Sequence, residues 1–357
     1  MLWTYSQEDI QKVMISIWSY VRLEDIQKVM ISIWSYVRLV CILVHNLYTI
    51  PVYLFINWLV LWPLYLIDVH KYMMVENYLY NWCLYIVSSW SYGAGIIIHE
   101  LGDDLYQLKE EKTRLLIIAN HQSTADVPLM MQSFTSRSKR VLLWIMDVAF
   151  KWTNFGVVSI THGDYFLNTK SYTPGDIFRH ITTPFSRFKD AIILFPEGGF
   201  RFKRLNSSNK FAAKHNYPAL YHVTYPRFGA YNEVMESEAG ITHVVDLTIA
   251  YEDLQNPLSI VDIGRGNRKS AVVFNYRIYD VNQTPDIKTE EWLNKVWKEK
   301  EELLLKYYTD RQSLLNTLHE FNVVSLSWLK IIGVHVFHLS FWFVFYVLYK
   351  KTKHYVF

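Results

Sequence analysis

Cysteine is nearly absent. The 357-residue chain carries only Cys41 and Cys83, too few for a disulfide framework, and both stand in apolar surroundings that suit buried structural thiols. Net charge is close to balance as well: +3 overall is too little to argue for nucleic acid as a partner. No Walker-type loop and no Gly-x-Ser-x-Gly elbow occurs, so a phosphate-loop nucleotide site and a serine acyl-enzyme lack support. No metal site is expected. His99-Glu100 with Asp103-Asp104 suits a solvated helix start better than a cation cage, and His335 with His338 is a single pair in an apolar stretch. An early signal-peptide core is interrupted by Glu8, Asp9, Lys12 and Arg22.

Apolar and aromatic residues are plentiful instead. They make up 51% and 17% of the chain, with 13 Trp and 26 Tyr, a composition that suits a bilayer interface. Residues Glu8–Leu23 and Glu24–Leu39 are identical, EDIQKVMISIWSYVRL twice. Ile10, Val13, Met14, Ile17 and Val21 follow helical spacing, so each copy reads as an amphipathic helix. Sixteen residues advance a helix about 160° beyond whole turns, so two fused copies set their apolar stripes on nearly opposite faces. The duplication is read as carrying no function of its own. Three segments are candidates for the membrane: Leu39–Ile67, Tyr78–Ile98 and Ile331–Tyr349, the last followed by Lys350, Lys351 and Lys353. Lys12, Arg22, Lys28 and Arg38 favour a cytoplasmic N-terminus. The basic tail argues against three crossings, so their number stays open. The expected organisation is a duplicated amphipathic segment over 1–38, membrane segments over 39–100, a catalytic domain over 101–325, and a membrane segment with a basic tail over 326–357.

From Leu115 onward, short apolar runs alternate with helical ones. Candidate strands are Leu115–Ala119, Val141–Ile145, Val157–Thr161, Ala191–Phe195, Leu220–Tyr225, Val244–Tyr251 and Ala271–Tyr279. Candidate helices are Val127–Phe134, Asp147–Thr153, Asp176–Phe188 and Thr289–Tyr308. The pattern predicts an α/β fold with a mostly parallel sheet flanked by helices, N-terminal membrane helices and a C-terminal membrane helix. Ligands of such sheets bind beyond the carboxyl ends of the strands. His121 follows the first of these runs, and Asp126 stands where the next helix begins. With the histidine in the turn and the aspartate at the helix entrance, the two side chains converge. One imidazole nitrogen is then held by a carboxylate while the other faces a substrate hydroxyl, as a general base requires. Glu197 follows the Ala191–Phe195 run in the same way, which places it on the same rim.

NHQSTAD (Asn120–Asp126) and FPEGGFR (Phe195–Arg201) together resemble motifs one and three of the glycerolipid acyltransferases, which move an acyl group from acyl-CoA to glycerol-3-phosphate or a lysophospholipid. The resemblance spans roughly Asn46 to Phe228. It has most in common with the lysophosphatidylglycerol acyltransferase-like branch, through NHQST-D, KWTNFG-VS-THGD-F, LFPEGGF and VTYPRFGA. It implies His121 as base and Asp126 as its orienter, with amides of the following helix start on the oxyanion. It implies an acceptor site shaped by Asn120, Glu197, Gly198 and Gly199, with Glu197 bonded to a glycerol hydroxyl. Gly163 and Phe166 match the second motif, but its phosphate-holding arginine is missing. Lys170 stands nearby as a point charge without a bidentate fork. Arg201, with Lys203 and Arg204, is expected at phosphates of CoA or lysolipid, or on a solvated basic loop. Val223-Thr224-Tyr225-Pro226 matches the fourth motif, with Pro226 ending a strand along the acyl pocket.

The resemblance thus implies a membrane enzyme of the endoplasmic reticulum. Its partners are acyl-CoA as co-substrate, a lysophospholipid and the lipid bilayer; no cofactor and no nucleic acid are expected. A CoA-independent transacylase or lipid hydrolase stays open as an alternative. So does a lipid-binding scaffold, on the strength of the altered Asn168–Thr169 region.

Overall fold

The run Leu115–Ala119 forms a strand with every residue buried. Five apolar side chains in succession leave neither face for water, so the strand needs cover on both sides. The chain supplies it as a three-layer α/β fold. The computed structural model describes residues 7–109, 113–237 and 239–356. The strands of these residues are β1 (Ile96–Gly102), β2 (Leu115–Ala119), β3 (Leu142–Asp147), β4 (Tyr165–Leu167), β5 (Ala191–Leu194), β6 (His243–Tyr251), β7 (Ser270–Asp280) and β8 (Glu320–Val323). They form one sheet in the order β4-β3-β5-β2-β6-β7-β1-β8. The block β4-β3-β5-β2-β6 is parallel throughout. β7 runs antiparallel to β6, β1 runs with β7, and β8 closes the edge antiparallel to β1. The carboxyl ends of the five parallel strands therefore share one rim.

The helices are α1 (Gln7–Phe55), α2 (Trp62–Ile67), α3 (Val69–Gly93), α4 (Asp126–Arg137), α5 (Gly156–His162), α6 (Asp176–Ile181), α7 (Arg201–Lys214), α8 (Phe228–Glu236), α9 (Ile260–Arg265), α10 (Glu290–Thr309), α11 (Arg311–Thr317) and α12 (Trp328–Val356). Alternate strand residues divide between two cores, as the pleat requires. Leu115, Ile117 and Ala119 pack with Leu84 of α3, Leu129 and Met130 of α4 and Val158 of α5. Leu116 and Ile118 pack with Ile177 of α6, Val234 of α8 and Trp297 of α10. Helix α10 shows the local logic: Thr289 caps Trp292 N–H at 3.1 Å, and Trp292, Leu293, Val296, Trp297, Lys300, Leu304 and Tyr307 are buried along one stripe.

Two helical stretches, Leu23–Val60 and Trp328–Lys353, are long and apolar enough to cross a membrane. They pack on each other through Phe55 and Phe341, whose rings lie 5.3 Å apart, and through Trp342 Nε1, which donates to the Tyr48 carbonyl at 2.9 Å. The two sequence repeats form one continuous helix within α1. Pro51 lies inside it, and a π-helical stretch over Ile56–Val60 follows. In the second copy, Arg38 donates to the carbonyls of Trp90 and Ile263, whereas the described side chains of the first copy are exposed.

Three expectations are corrected. Tyr78–Ile98 is not one apolar segment: α3 ends at Gly93 and β1 begins at Ile96. Tyr80, Cys83, Leu84 and Tyr85 of α3 are buried in the cores, which accounts for the apolar content. Val157–Thr161 is helical, as α5, despite its β-branched residues; burial of Val158, Ser159 and His162 on one face overrides a modest propensity. Leu220–Tyr225 is a loop. The N–H groups of Tyr221, His222 and Val223 donate to the Glu301 carboxylate at 2.8, 2.8 and 3.0 Å, so they join no ladder.

Candidate active site

The chain leaves β2 through Asn120 and turns at once. His121 Nδ1 meets Asp126 Oδ2 at 2.8 Å. The same oxygen accepts the N–H groups of Gln122 and Ser123 at 2.7 and 3.0 Å, which folds the turn around the carboxylate. The Tyr251 hydroxyl donates to Asp126 Oδ1 at 2.5 Å. Asp126 is fully buried, while the His121 side chain is 12% exposed. Among the described residues no hydrogen bond reaches His121 Nε2, so this nitrogen is the open end of the pair. Phe195 and Phe200 flank the ring, each with its centroid 4.2 Å away.

The loop after β5 is tied to the same turn. His121 N–H donates to Glu197 Oε1 at 3.3 Å, and Arg201 N–H donates to the His121 carbonyl at 2.8 Å. Glu197 is wholly enclosed. Trp297 Nε1 donates to its Oε1 at 3.4 Å, and Thr224 bonds its Oε2 at 2.8 Å. Burial pushes its carboxyl up to about 8, against the hydrogen bonds from Thr224, His121 and Trp297. The carboxyl keeps its proton below that pH, and protein groups surround both of its oxygens.

Other expected site residues fall into two groups. Asn120 is buried, and its amide clips onto β6. Nδ2 donates to the Ile249 carbonyl at 3.0 Å, and Ile249 N–H returns to Oδ1 at 2.8 Å. Arg201 is buried too, and its guanidinium donates to the carbonyls of Tyr221 and Leu254, each at 2.9 Å. Both hold neighbouring segments in place through these bonds. Gly163 ends α5 at φ 84°, where a Cβ would stand 2.4 Å from Phe185; it is there for the turn. Pro226 is buried, and its successor Arg227 donates N–H to the Pro196 carbonyl at 2.8 Å, joining the two motif loops. Phe166 is half-buried on β4, and Lys170 is exposed in the turn beyond it, on the same rim as His121 but at the sheet edge. The amides of Gln122, Ser123, Ala125 and Asp126 are bonded within the turn, which removes them as donors to an oxyanion.

The turn Gly198-Gly199 has φ 68° and 152°. Arg227 lies over Gly198, where a Cβ would stand 3.2 Å from its Cδ; Arg204 lies over Gly199, where a Cβ would stand 3.3 Å from its Cγ. Arg204 is held below its usual range by burial and then by the charge of Arg227. Its Nε is buried without a partner among the described residues. Sequence reading passed over Arg227, although it directly follows Pro226. It also missed Gln122, inside the first motif, and Tyr251 and Glu301, which lie in none. Gln122 Nε2 donates to the His222 carbonyl at 2.7 Å, so Glu301, through the loop that it clamps, also supports the His121 turn. The acidic run near β1 is absorbed by the sheet edge. His99 pairs with Glu320 at 2.9 Å, and Glu100 accepts hydrogen bonds from Tyr106, Ser133, Tyr276 and Asn322. Among the described residues no group of three or more His, Cys, Asp or Glu is placed to hold a metal ion.

Fold and site define an α/β protein with a histidine–aspartate pair on the carboxyl rim of a parallel block. Comparison with known proteins carries this further. The acyltransferase family model matches residues 103–252. The chain is 34% identical over 296 residues to mouse acyl-CoA:lysophosphatidylglycerol acyltransferase 1, covering 74% of this chain and 79% of that protein. It is 33% identical over 297 residues to the human protein of the same name, with the same coverage of each. The crystal structure of the 1-acyl-sn-glycerophosphate acyltransferase from Thermotoga maritima aligns with TM-score 0.40 at 13% identity, covering 78% of this chain and 97% of that one. The chain belongs to the glycerolipid acyltransferase family.

Proposed function

We propose that this chain transfers a fatty acyl group from acyl-CoA to a hydroxyl of a lysophospholipid at a membrane. The observation that carries the reading is the His121–Asp126 contact with His121 Nε2 left open at the rim. His121 takes the acceptor's hydroxyl proton at Nε2. The oxygen attacks the thioester carbonyl, the carbon–sulfur bond breaks, and the proton passes to the leaving CoA thiolate. Asp126 fixes the tautomer and stabilises the imidazolium. Phe195 and Phe200 exclude water from the ring. Arg204 and Arg227, at the Gly198-Gly199 turn, supply positive charge for a phosphate of lysolipid or CoA. Lys170 adds charge farther along the rim. Similarity to the two mammalian proteins, by their names, favours a lysophosphatidylglycerol acceptor. The helices Leu23–Val60 and Trp328–Lys353 favour the bilayer as the surface on which the acceptor is met, with the endoplasmic reticulum as the proposed location.

The test is transfer from labelled oleoyl- and stearoyl-CoA into a panel of lysophospholipids, using membranes that carry the chain or its His121→Ala variant. Transfer that needs both acyl-CoA and His121, with one CoA released per ester formed and no loss in chelator, supports the reading. Transfer that persists without acyl-CoA moves it to a transacylase. Absence of transfer to every acceptor, with the protein folded, moves it to a lipid-binding scaffold.

A further inference from the structure

The carboxylate behind His121 has two oxygens with unequal duties. Asp126 Oδ2 carries the imidazole and two backbone amides. Oδ1 takes the Tyr251 hydroxyl at 2.5 Å. Tyr251 is the last residue of β6 and is 1% exposed. Its height is set by the sheet. Ala119 at the end of β2 pairs with Leu247, and the Asn120 amide clips both backbone groups of Ile249. Tyr251 therefore stands two residues beyond the clip, level with the start of α4. Burial, then the charge of Asp126, pushes the phenol well above its ordinary range, so it stays a donor across the working pH.

We propose that Tyr251 is a positioning residue of the His121–Asp126 pair: its hydroxyl stops the carboxylate from rotating and lowers its basicity, and so sets the pH at which His121 becomes a base. This rests on the base role proposed for His121. A carboxylate pinned at one oxygen can offer the imidazole only the other. A donor on Oδ1 also draws charge from the group that stabilises the imidazolium. Among the described residues, further titratable and charged groups near the pair include Glu197 after β5, Arg201 at the start of α7 and Tyr308 on α10, with Lys300 and Glu301 of α10 behind them. None of these donates to Asp126 among the described hydrogen bonds.

The experiment is the pH profile of kcat/KM for acyl transfer in membranes carrying the wild type, Tyr251→Phe, Asp126→Asn and the double variant. Loss of the phenol leaves a more basic carboxylate and a more easily protonated His121. The acid limb of Tyr251→Phe is expected to move to higher pH, with kcat reduced about tenfold and lysolipid KM unchanged. The double variant is expected to be no worse than Asp126→Asn alone, because Tyr251 acts only through Asp126. An unmoved acid limb with additive losses overturns the inference and leaves Tyr251 a packing residue. If Tyr251→Phe does not fold, 3-fluorotyrosine at position 251 decides. It is a stronger donor and is expected to move the limb to lower pH, and an unmoved limb again overturns the inference. His121→Ala is run beside them. If it keeps near-normal transfer, the reading of the site fails; if it is inactive and only the Tyr251 results are negative, the inference alone fails.

Discussion

Two histidine–carboxylate contacts of nearly equal length sit at opposite ends of the parallel strands. His121 meets Asp126 at 2.8 Å beyond the carboxyl end of β2. His162, at the end of α5, meets Glu76 of α3 at 2.9 Å. The partners of the second nitrogen separate them. His162 Nε2 is 2.9 Å from the Leu142 carbonyl, Lys189 Nζ lies 3.0 Å from the ring, and all three side chains are fully buried. Tyr53 adds a hydrogen bond to Glu76 at 2.6 Å. That cluster joins α1 and α3 to the sheet and spends both nitrogens of His162 doing so. At His121 one nitrogen is held and the other is open. The pair distance alone does not mark a reactive site; what separates His121 from His162 is a second nitrogen left open on the carboxyl rim of the parallel block.

The comparison breaks most sharply on the two histidines. His121→Ala is expected to lower acyl transfer by about 10²–10⁴ while leaving the protein in the membrane and folded. His162→Ala is expected to do the reverse. It strands Glu76 and Lys189, costs roughly 3–5 kcal/mol of stability, and lowers the amount of protein while each folded molecule keeps its turnover. Turnover per folded molecule and thermal inactivation separate the two, and a swapped pattern ends the distinction. Next in size, Asp126→Asn is expected to lower kcat about a hundredfold or more by altering the partner of Nδ1, whereas Glu76→Gln changes inactivation temperature and not kcat.

Two smaller effects sharpen the contrast between open and spent charges. Arg227 faces the rim and Arg201 is tied to two carbonyls. Arg227→Ala is therefore expected to raise the lysolipid KM about tenfold with kcat kept, and equal KM values would remove Arg227 from the phosphate site. Glu197 acts on stability and its pH dependence rather than on KM. Its folded carboxyl titrates at about 8 against an ordinary 4.5, so the folded chain keeps a proton that the unfolded chain gives up. Stability from this group is full below about 4.5, falls as pH rises to about 8 and is level above. Glu197→Gln is expected to flatten that window, as read by thermal inactivation against pH, and an unchanged slope assigns the loss elsewhere.

Much of the fold was legible because its signals are local. β2 matches the apolar run Leu115–Ala119 residue for residue, and α10 follows the stripe from Trp292 to Tyr307. The turn that brings His121 to Asp126 was legible too, since a strand end and a helix start can be read from residue types. Segments whose partners are distant in sequence were misread. Val157–Thr161 has strand-like residues but takes its shape from the core under α5. Leu220–Tyr225 has strand-like residues but is a bent loop held by Glu301, about eighty residues on.

The sequence by itself determined which chemistry the rim can hold. A histidine and an aspartate across a strand–helix turn, with a second strand-end loop carrying glutamate and two glycines, follow from residue types and spacing. Tertiary structure alone decided how each polar group is used. Asn120, Glu197 and Arg201 stand in the motifs, yet they bond Ile249, Thr224, Trp297, Tyr221 and Leu254. Tyr251 and Arg227, expected in no site role, reach Asp126 and the glycine turn. The reason is physical: a buried polar group must be paired. Its partner is set by the three-dimensional approach of β6, α7 and α10 to the β2 turn, which no local pattern encodes.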